Sequence, residues 1–257
     1  MILCLDIGNT QIYGGVYKNS DLIFSFRKSN KDNLSSDELG LFLKLVLREN
    51  KINPDEIKKV GICCVVPDML HSLASSSIKY FNLEYFVLQA GVKTGLKILY
   101  KNPKEVGADR IANAIAGVNL FPKKNLILVD FGTATTLDVI TENKEYLGGM
   151  ILPGPRLMME VLQKNTAQLP SVSIKKVETL IGSSTVESIQ AGLYHGNKAI
   201  IEKISEQIKA KHFPDSKNFM IVGTGGFSKL FEDDGLFDAF VPELVLEGIR
   251  LSLEMNQ

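Results

Sequence analysis

Apolar residues come in short runs bounded by polar or turn-forming residues, and the runs alternate with segments of helical period. Residues 1–5, 11–17 and 21–27 read as three successive strands. Gly14-Gly15 interrupts the second, and residues 18–20 form a polar turn before the third. Ser35 and Glu38 make a capping box, followed by Leu39, Phe42, Leu43, Val46 and Leu47 at helical spacing. Residues 60–66 form a strand that Pro67 halts. Met69, Leu70, Leu73 and Ile78 predict a second helix, and residues 85–88 a further strand. No period is clear from 89 to 106, where Gly91, Gly95 and Pro103 punctuate the chain; a helix follows over 109–119.

The pattern then restarts. Residues 126–130, 136–141 and 145–152 repeat the opening trio, and Pro153-Gly154-Pro155 ends it. Helices are predicted at 156–165 and from 185 to beyond 206. A strand at 218–222 closes on Gly223-Thr224-Gly225-Gly226, and Pro242 begins a last helix reaching 253. Both halves therefore read strand-strand-strand-helix-strand-helix. The boundary is expected where Gly117, Pro122, Lys123 and Lys124 cluster, which gives lobes of residues 1–119 and 120–257.

The first strand of each half ends alike. Asp6-Ile7-Gly8-Asn9-Thr10 and Asp130-Phe131-Gly132-Thr133-Ala134-Thr135-Thr136 both place Asp-x-Gly before small hydroxyl or amide residues. Glycine lets a backbone approach a ligand closely, N–H and hydroxyl groups donate to phosphate, and the carboxylate can hold a neutralising cation. Two such turns predict two similar lobes gripping one nucleotide. The glycine-rich P-loop, the dinucleotide fingerprint and the protein-kinase motifs are absent, as are H-E-x-x-H and G-x-S-x-G.

Composition narrows the partners. With 257 residues the chain can bury a core in each of two lobes, and 45% hydrophobic with 23% charged residues is ordinary for a globular protein. Basic and acidic residues number 29 each, so the net charge is zero and nucleic acid is not expected as the main partner. No apolar run approaches the roughly 20 residues that span a bilayer. The opening residues read as a strand, not a secretory signal. Cys4, Cys63 and Cys64 lie in strand-like apolar runs and are expected as reduced thiols, which fits the cytoplasm. His71, His195 and His212 have no metal-ligand spacing.

Gly107-Ala108-Asp109-Arg110 opens a helix rich in small apolar residues. The helix dipole favours a carboxylate there, which could accept a proton from a hydroxyl, while an arginine could clamp an anionic group in fork geometry. The same four residues also suit an N-cap aspartate beside a surface arginine, and alone they do not decide.

Taken together and in order, Asp6–Thr10, Gly107–Arg110, Asp130–Thr136 and Gly223–Gly226 resemble the type III pantothenate kinase family, as do Gly148–Gly154 and Thr166–Pro170. The resemblance runs from Met1 to about Glu247. It implies an α/β fold of two similar actin-like (ribonuclease H-like) lobes with a nucleotide cleft between them, and ATP-dependent phosphorylation of pantothenate. By the same resemblance Asp6, Ile7, Gly8, Asn9, Thr10, Gln11, Ile12 and Tyr13 form the first phosphate turn, Asp6 facing the Mg2+ of Mg-ATP. Thr133 contacts ATP, Gly223 to Gly226 face its adenosine end, and Asp130 binds a monovalent cation, K+ or NH4+. Asp109 is the general base, Gly107, Ala108 and Arg110 line the pantothenate site with Tyr100 across from them, and Thr185 completes it from the second protomer of a homodimer. Ser183 and Ser184 stand where the family commonly carries a basic residue followed by Asn or Asp. A second reading is a regulatory or accessory protein of the same family. The retained Asp6, Asp109, Arg110 and Asp130 favour catalysis, because a binding module has no use for a general base.

Overall fold

The computed structural model describes residues 1–30 and 34–257. The chain divides into two compact units. The first comprises Met1–Gly95, Lys101–Ala116 and Leu244–Gln257, the second Leu96–Tyr100 and Gly117–Glu243.

The first unit is built on β1 (Ile2–Ile7), β2 (Gln11–Lys18), β3 (Asp21–Ser29), β4 (Lys59–Cys64) and β5 (Tyr85–Val87), in the order β3-β2-β1-β4-β5. β1 is antiparallel to β2 and parallel to β4, and β4 is parallel to β5. Central β1 is covered on both faces, which is why its sequence is continuously apolar, whereas edge strand β3 alternates. Helix α1 (Ser36–Glu49) starts on the expected capping box: Ser35 Oγ accepts from Glu38 N–H at 3.2 Å and Glu38 Oε2 accepts from Ser35 N–H at 2.9 Å. Its stripe of Leu39, Leu43 and Leu47 packs into a core with Leu3, Leu5, Ile62 and Met69.

Pro67 does more than stop β4, which already ends at Cys64. It opens α2 (Pro67–Ser76), where its missing N–H is one the helix could not have bonded anyway. Helix α3 (Ala108–Leu120) follows after a short 3-10 turn at Pro103–Glu105.

The second unit contains β6 (Lys97–Ile98), β7 (Asn125–Phe131), β8 (Ala134–Ile140), β9 (Glu145–Pro153), α4 (Pro155–Asn165), α5 (Thr185–His212), β10 (Phe219–Thr224) and β11 (Ala239–Phe240). Its sheet order is β11-β10-β7-β8-β9-β6. Read from β9 to β11 this reproduces the first sheet: β7 is antiparallel to β8 and parallel to β10, and β10 is parallel to β11. The duplication expected from the strand trios is thus present in pairing and direction, with β6 added at one edge. Phe131, Tyr194 and Phe231 stack in the core, with centroids 4.8 Å apart for Phe131–Phe231 and 5.3 Å for Tyr194–Phe231.

Helix α6 (Leu244–Met255) belongs to the first unit, whereas a split at residues 119 and 120 assigns it to the second lobe. Leu246, Ile249 and Leu253 press on Gly15 and Gly61 of β2 and β4, where any side chain would collide. Arg250 is buried on the same face. It donates to Glu247 at 2.9 Å and to Glu254 at 2.7 Å, and its guanidinium lies 5.6 Å from the Tyr17 ring centroid.

Candidate active site

In the first unit, β1 delivers Asp6 to the mouth of a tight turn. Gly8 N–H donates to Gln11 O at 2.9 Å, and a Cβ at Gly8 would stand only 3.4 Å from that carbonyl. Asn30 at the end of β3 holds the turn from outside. Its Nδ2 donates to Gly8 O at 2.8 Å and its backbone N–H to Thr10 O at 2.9 Å. Both bonds reach back about twenty residues, so no local motif announces them, and sequence reasoning did not single out Asn30.

Cys63 faces Asp6 across the parallel β1–β4 pair. Its thiol is fully buried and donates to the Asp6 carboxylate. Burial raises its pKa well above the ordinary range, and the negative charges of Asp6 and Asp109 raise it further. Asp6 and Asp109, far apart in the chain, both act by their charge on this one buried thiol. Cys63 is the reduced, buried group expected from its apolar run, but its place beside Asp6 was not foreseen.

The start of α3 places Asp109. Ile111 N–H donates to Gly107 O at 3.1 Å, so Gly107 occupies the capping position and Asp109 stands in the first turn instead of acting as the N-cap. Asp109 Oδ1 accepts from Arg110 N–H at 2.8 Å. A Cβ on Gly107 would lie 2.5 Å from that same oxygen, so glycine at 107 makes the room the carboxylate occupies. Arg110 is 6% exposed and therefore not the surface arginine of the simpler alternative.

In the second unit, β7 delivers Asp130 to the corresponding place, opposite Thr136 of β8 and Thr224 of β10. Thr224 thus stands to Asp130 in register as Cys63 stands to Asp6. Two glycines come close to this carboxylate. A Cβ on Gly225, which has φ +88°, would fall 2.3 Å from Asp130 Oδ1, and one on Gly132 3.5 Å from it. Gly154 braces the turn itself. Its N–H donates to Thr133 O at 3.0 Å, and a Cβ there would meet Gly132 O at 2.4 Å. The carboxylate of Asp130 is of the ligand type that could hold a small cation through oxygen.

Thr185 begins α5, with Ser184 as N-cap accepting from Glu187 N–H at 3.3 Å. Ser183 donates from N–H and Oγ to Glu187 Oε2 at 2.8 and 2.6 Å. The two serines that depart from the family pattern therefore start the helix. Thr185 rims a groove of about 910 Å3 between α4 and α5, walled by Met158, Val161, Leu162 and Leu193. Tyr100 follows β6 and packs on Gly148, whose φ is +119°.

Duplicated α/β units, each with an Asp-x-Gly turn after its first strand, give this chain an actin-like fold. A family model described as type III pantothenate kinase matches residues 2–207. A type III pantothenate kinase of Legionella pneumophila (strain Corby) is 54% identical over 256 residues, covering 100% of this chain and 99% of its own length. One from Elusimicrobium minutum is 46% identical over 257 residues, again covering 100% and 99%. The chain belongs to the type III pantothenate kinase family. Among solved structures, a candidate 2-dehydro-3-deoxygalactonokinase from Sinorhizobium meliloti aligns with a TM-score of 0.60 at 9% identity, covering 99% of this chain and 97% of that one. A candidate Baf family transcriptional activator from Campylobacter jejuni gives 0.57 at 19% identity over 99% and 98%. At such identities these two describe the fold alone.

Proposed function

We propose that this chain transfers the terminal phosphoryl group of ATP to the primary hydroxyl of pantothenate, releasing ADP and 4'-phosphopantothenate, the opening step toward coenzyme A. The full-length identity to kinases named for this reaction carries the reading. That the charges of both Asp6 and Asp109 act on the buried Cys63 thiol supports it, because a phosphate-facing carboxylate and a base for the acceptor must belong to one neighbourhood. Asp109 accepts the hydroxyl proton, Arg110 receives the pantothenate carboxylate, and Gly107 and Ala108 line the same pocket, with Tyr100 as a further wall. Residues 6–13 and Thr133 donate to the phosphates. Asp6 holds Mg2+ and Asp130 holds K+ or NH4+; bound there, the ions offset phosphate charge. Phosphoryl transfer of this kind depends mainly on alignment and charge neutralisation.

The second copy of a homodimer covers the exposed Leu157, Val161, Leu180, Ile181 and Val186, and across that interface Thr185 completes the substrate site. No helix among the described residues is long and apolar enough to cross a membrane. The free thiols Cys4, Cys63 and Cys64 suit the reducing cytoplasm.

ADP release with pantothenate, pantetheine or simple sugars as acceptor, each with and without KCl, tests the reading. Turnover on pantothenate that rises with potassium is expected. Turnover on a sugar but not on pantothenate contradicts it. Within the same assay Asp130→Ala raises the potassium concentration for half-activation by about tenfold or more, the loss of one charge-assisted contact. An unchanged potassium response refutes that role for Asp130. Asn30→Ala removes the side-chain bond to Gly8 O, leaving the backbone bond to Thr10, and raises the KM for ATP by about three- to tenfold, the ordinary worth of a hydrogen bond; titration of ATP at saturating pantothenate measures it.

A further inference from the structure

Behind Tyr100 runs a buried polar ladder that the reaction as described does not use. Asp138 in β8 is 1% exposed and Tyr146 in β9 is fully buried. The Tyr146 hydroxyl donates to Asp138 Oδ1, and Thr136 Oγ1 donates to Oδ2 at 3.3 Å. The Tyr100 ring lies against Tyr146, with centroids 6.5 Å apart and planes inclined by 54°. Leu99 N–H donates to Tyr146 O at 2.9 Å, which ties the residue before Tyr100 to the same tyrosine. Tyr100 also meets bare Gly148, where an added Cβ would already be 3.4 Å from the ring. A buried carboxyl is costly unless its oxygens are bonded, and a phenol beside it gains a fixed orientation.

We propose that Asp138 and Tyr146 are positioning residues for Tyr100: the Asp138 carboxyl fixes the Tyr146 phenol, and the Tyr146 ring sets the angle at which Tyr100 meets pantothenate. This rests on the reading of Tyr100 as a wall of the pantothenate site. The expected effect of the pair is on substrate binding, because the ring contact that joins it to this site is the one with Tyr100.

Steady-state kinetics of Tyr146→Phe, Asp138→Asn, Tyr100→Ala and the Tyr146→Phe/Tyr100→Ala double variant test the proposal, with thermal melting recorded for each. Tyr146→Phe is expected to raise the KM for pantothenate by about three- to tenfold, the worth of one lost hydrogen bond, with kcat and the KM for ATP unchanged. Asp138→Asn keeps an acceptor for the phenol and should lie closer to wild type than Tyr146→Phe. In the Tyr100→Ala background Tyr146→Phe should add nothing. A Tyr146→Phe enzyme with a lower melting temperature but an unaltered pantothenate KM overturns the proposal and leaves the ladder a stability element. Independent, multiplying effects in the double variant overturn it as well. If Tyr100→Ala itself leaves the pantothenate KM unchanged, the wall reading fails, and that outcome is distinct from failure of the ladder.

Discussion

Asp109→Asn lowers kcat by about 100- to 10,000-fold, the usual worth of a positioned general base, while ATP affinity and melting temperature stay at wild-type values. The substitution keeps shape and volume. The asparagine Oδ1 can still accept from Arg110 N–H, as the carboxylate does at 2.8 Å, and Gly107 leaves the same space for it. Only the capacity to take a proton disappears. Calorimetric ATP titration, a melting curve and single-turnover phosphoryl transfer on one preparation separate these effects. A variant with near-normal turnover removes Asp109 as the base. A variant that loses ATP binding and turnover together assigns Asp109 to the nucleotide instead.

Gly248→Ala destabilises the first unit by about 2 kcal/mol or more, and it also lowers the activity of the molecules that remain folded. Two effects of opposite sign compete here. Alanine is the better helix former by about 1 kcal/mol. Against that, a Cβ at 248 would stand 1.9 Å from Ala112 O and 2.4 Å from Ala112 C, both backbone atoms of α3. No side-chain rotation relieves that overlap, so α6 and α3 must separate, and overpacking of this kind costs about 3 kcal/mol. The net sign is destabilising. Because α3 carries Asp109 in its first turn, the same displacement moves the base. Denaturant unfolding of the variant measures the first effect and kcat per folded molecule the second. A variant more stable than wild type shows that the two helices relax apart freely.

The duplication was legible because strands covered on both faces must be continuously apolar, as 126–129 and the residues before Asp6 are, and because each such strand runs into Asp-x-Gly. β6 and β11 were not, since two-residue strands carry no period. The placement of α6 was equally hidden. An amphipathic stripe says that a helix is covered but not by which sheet, and only the glycines at 15, 61 and 248 record the close approach, without naming the partner. At the site, Asp6, Gly107, Asp109 and Asp130 stood out through local spacing. Asn30, the place of Cys63 beside Asp6 and the Asp138–Tyr146 pair did not, because their roles depend on contacts with residues distant in the chain or across a sheet. Ser183 and Ser184 looked like a departure in chemistry, and their bonds to Glu187 show them capping a helix.

A crystal structure with pantothenate and a non-hydrolysable ATP analogue bound probes the proposed chemistry at its centre. The expected result is an Asp109 carboxylate oxygen at hydrogen-bond distance, roughly 2.6–3.2 Å, from the pantothenate primary hydroxyl, with that hydroxyl pointing at the terminal phosphate. A primary hydroxyl held by another side chain, with Asp109 out of reach, contradicts it.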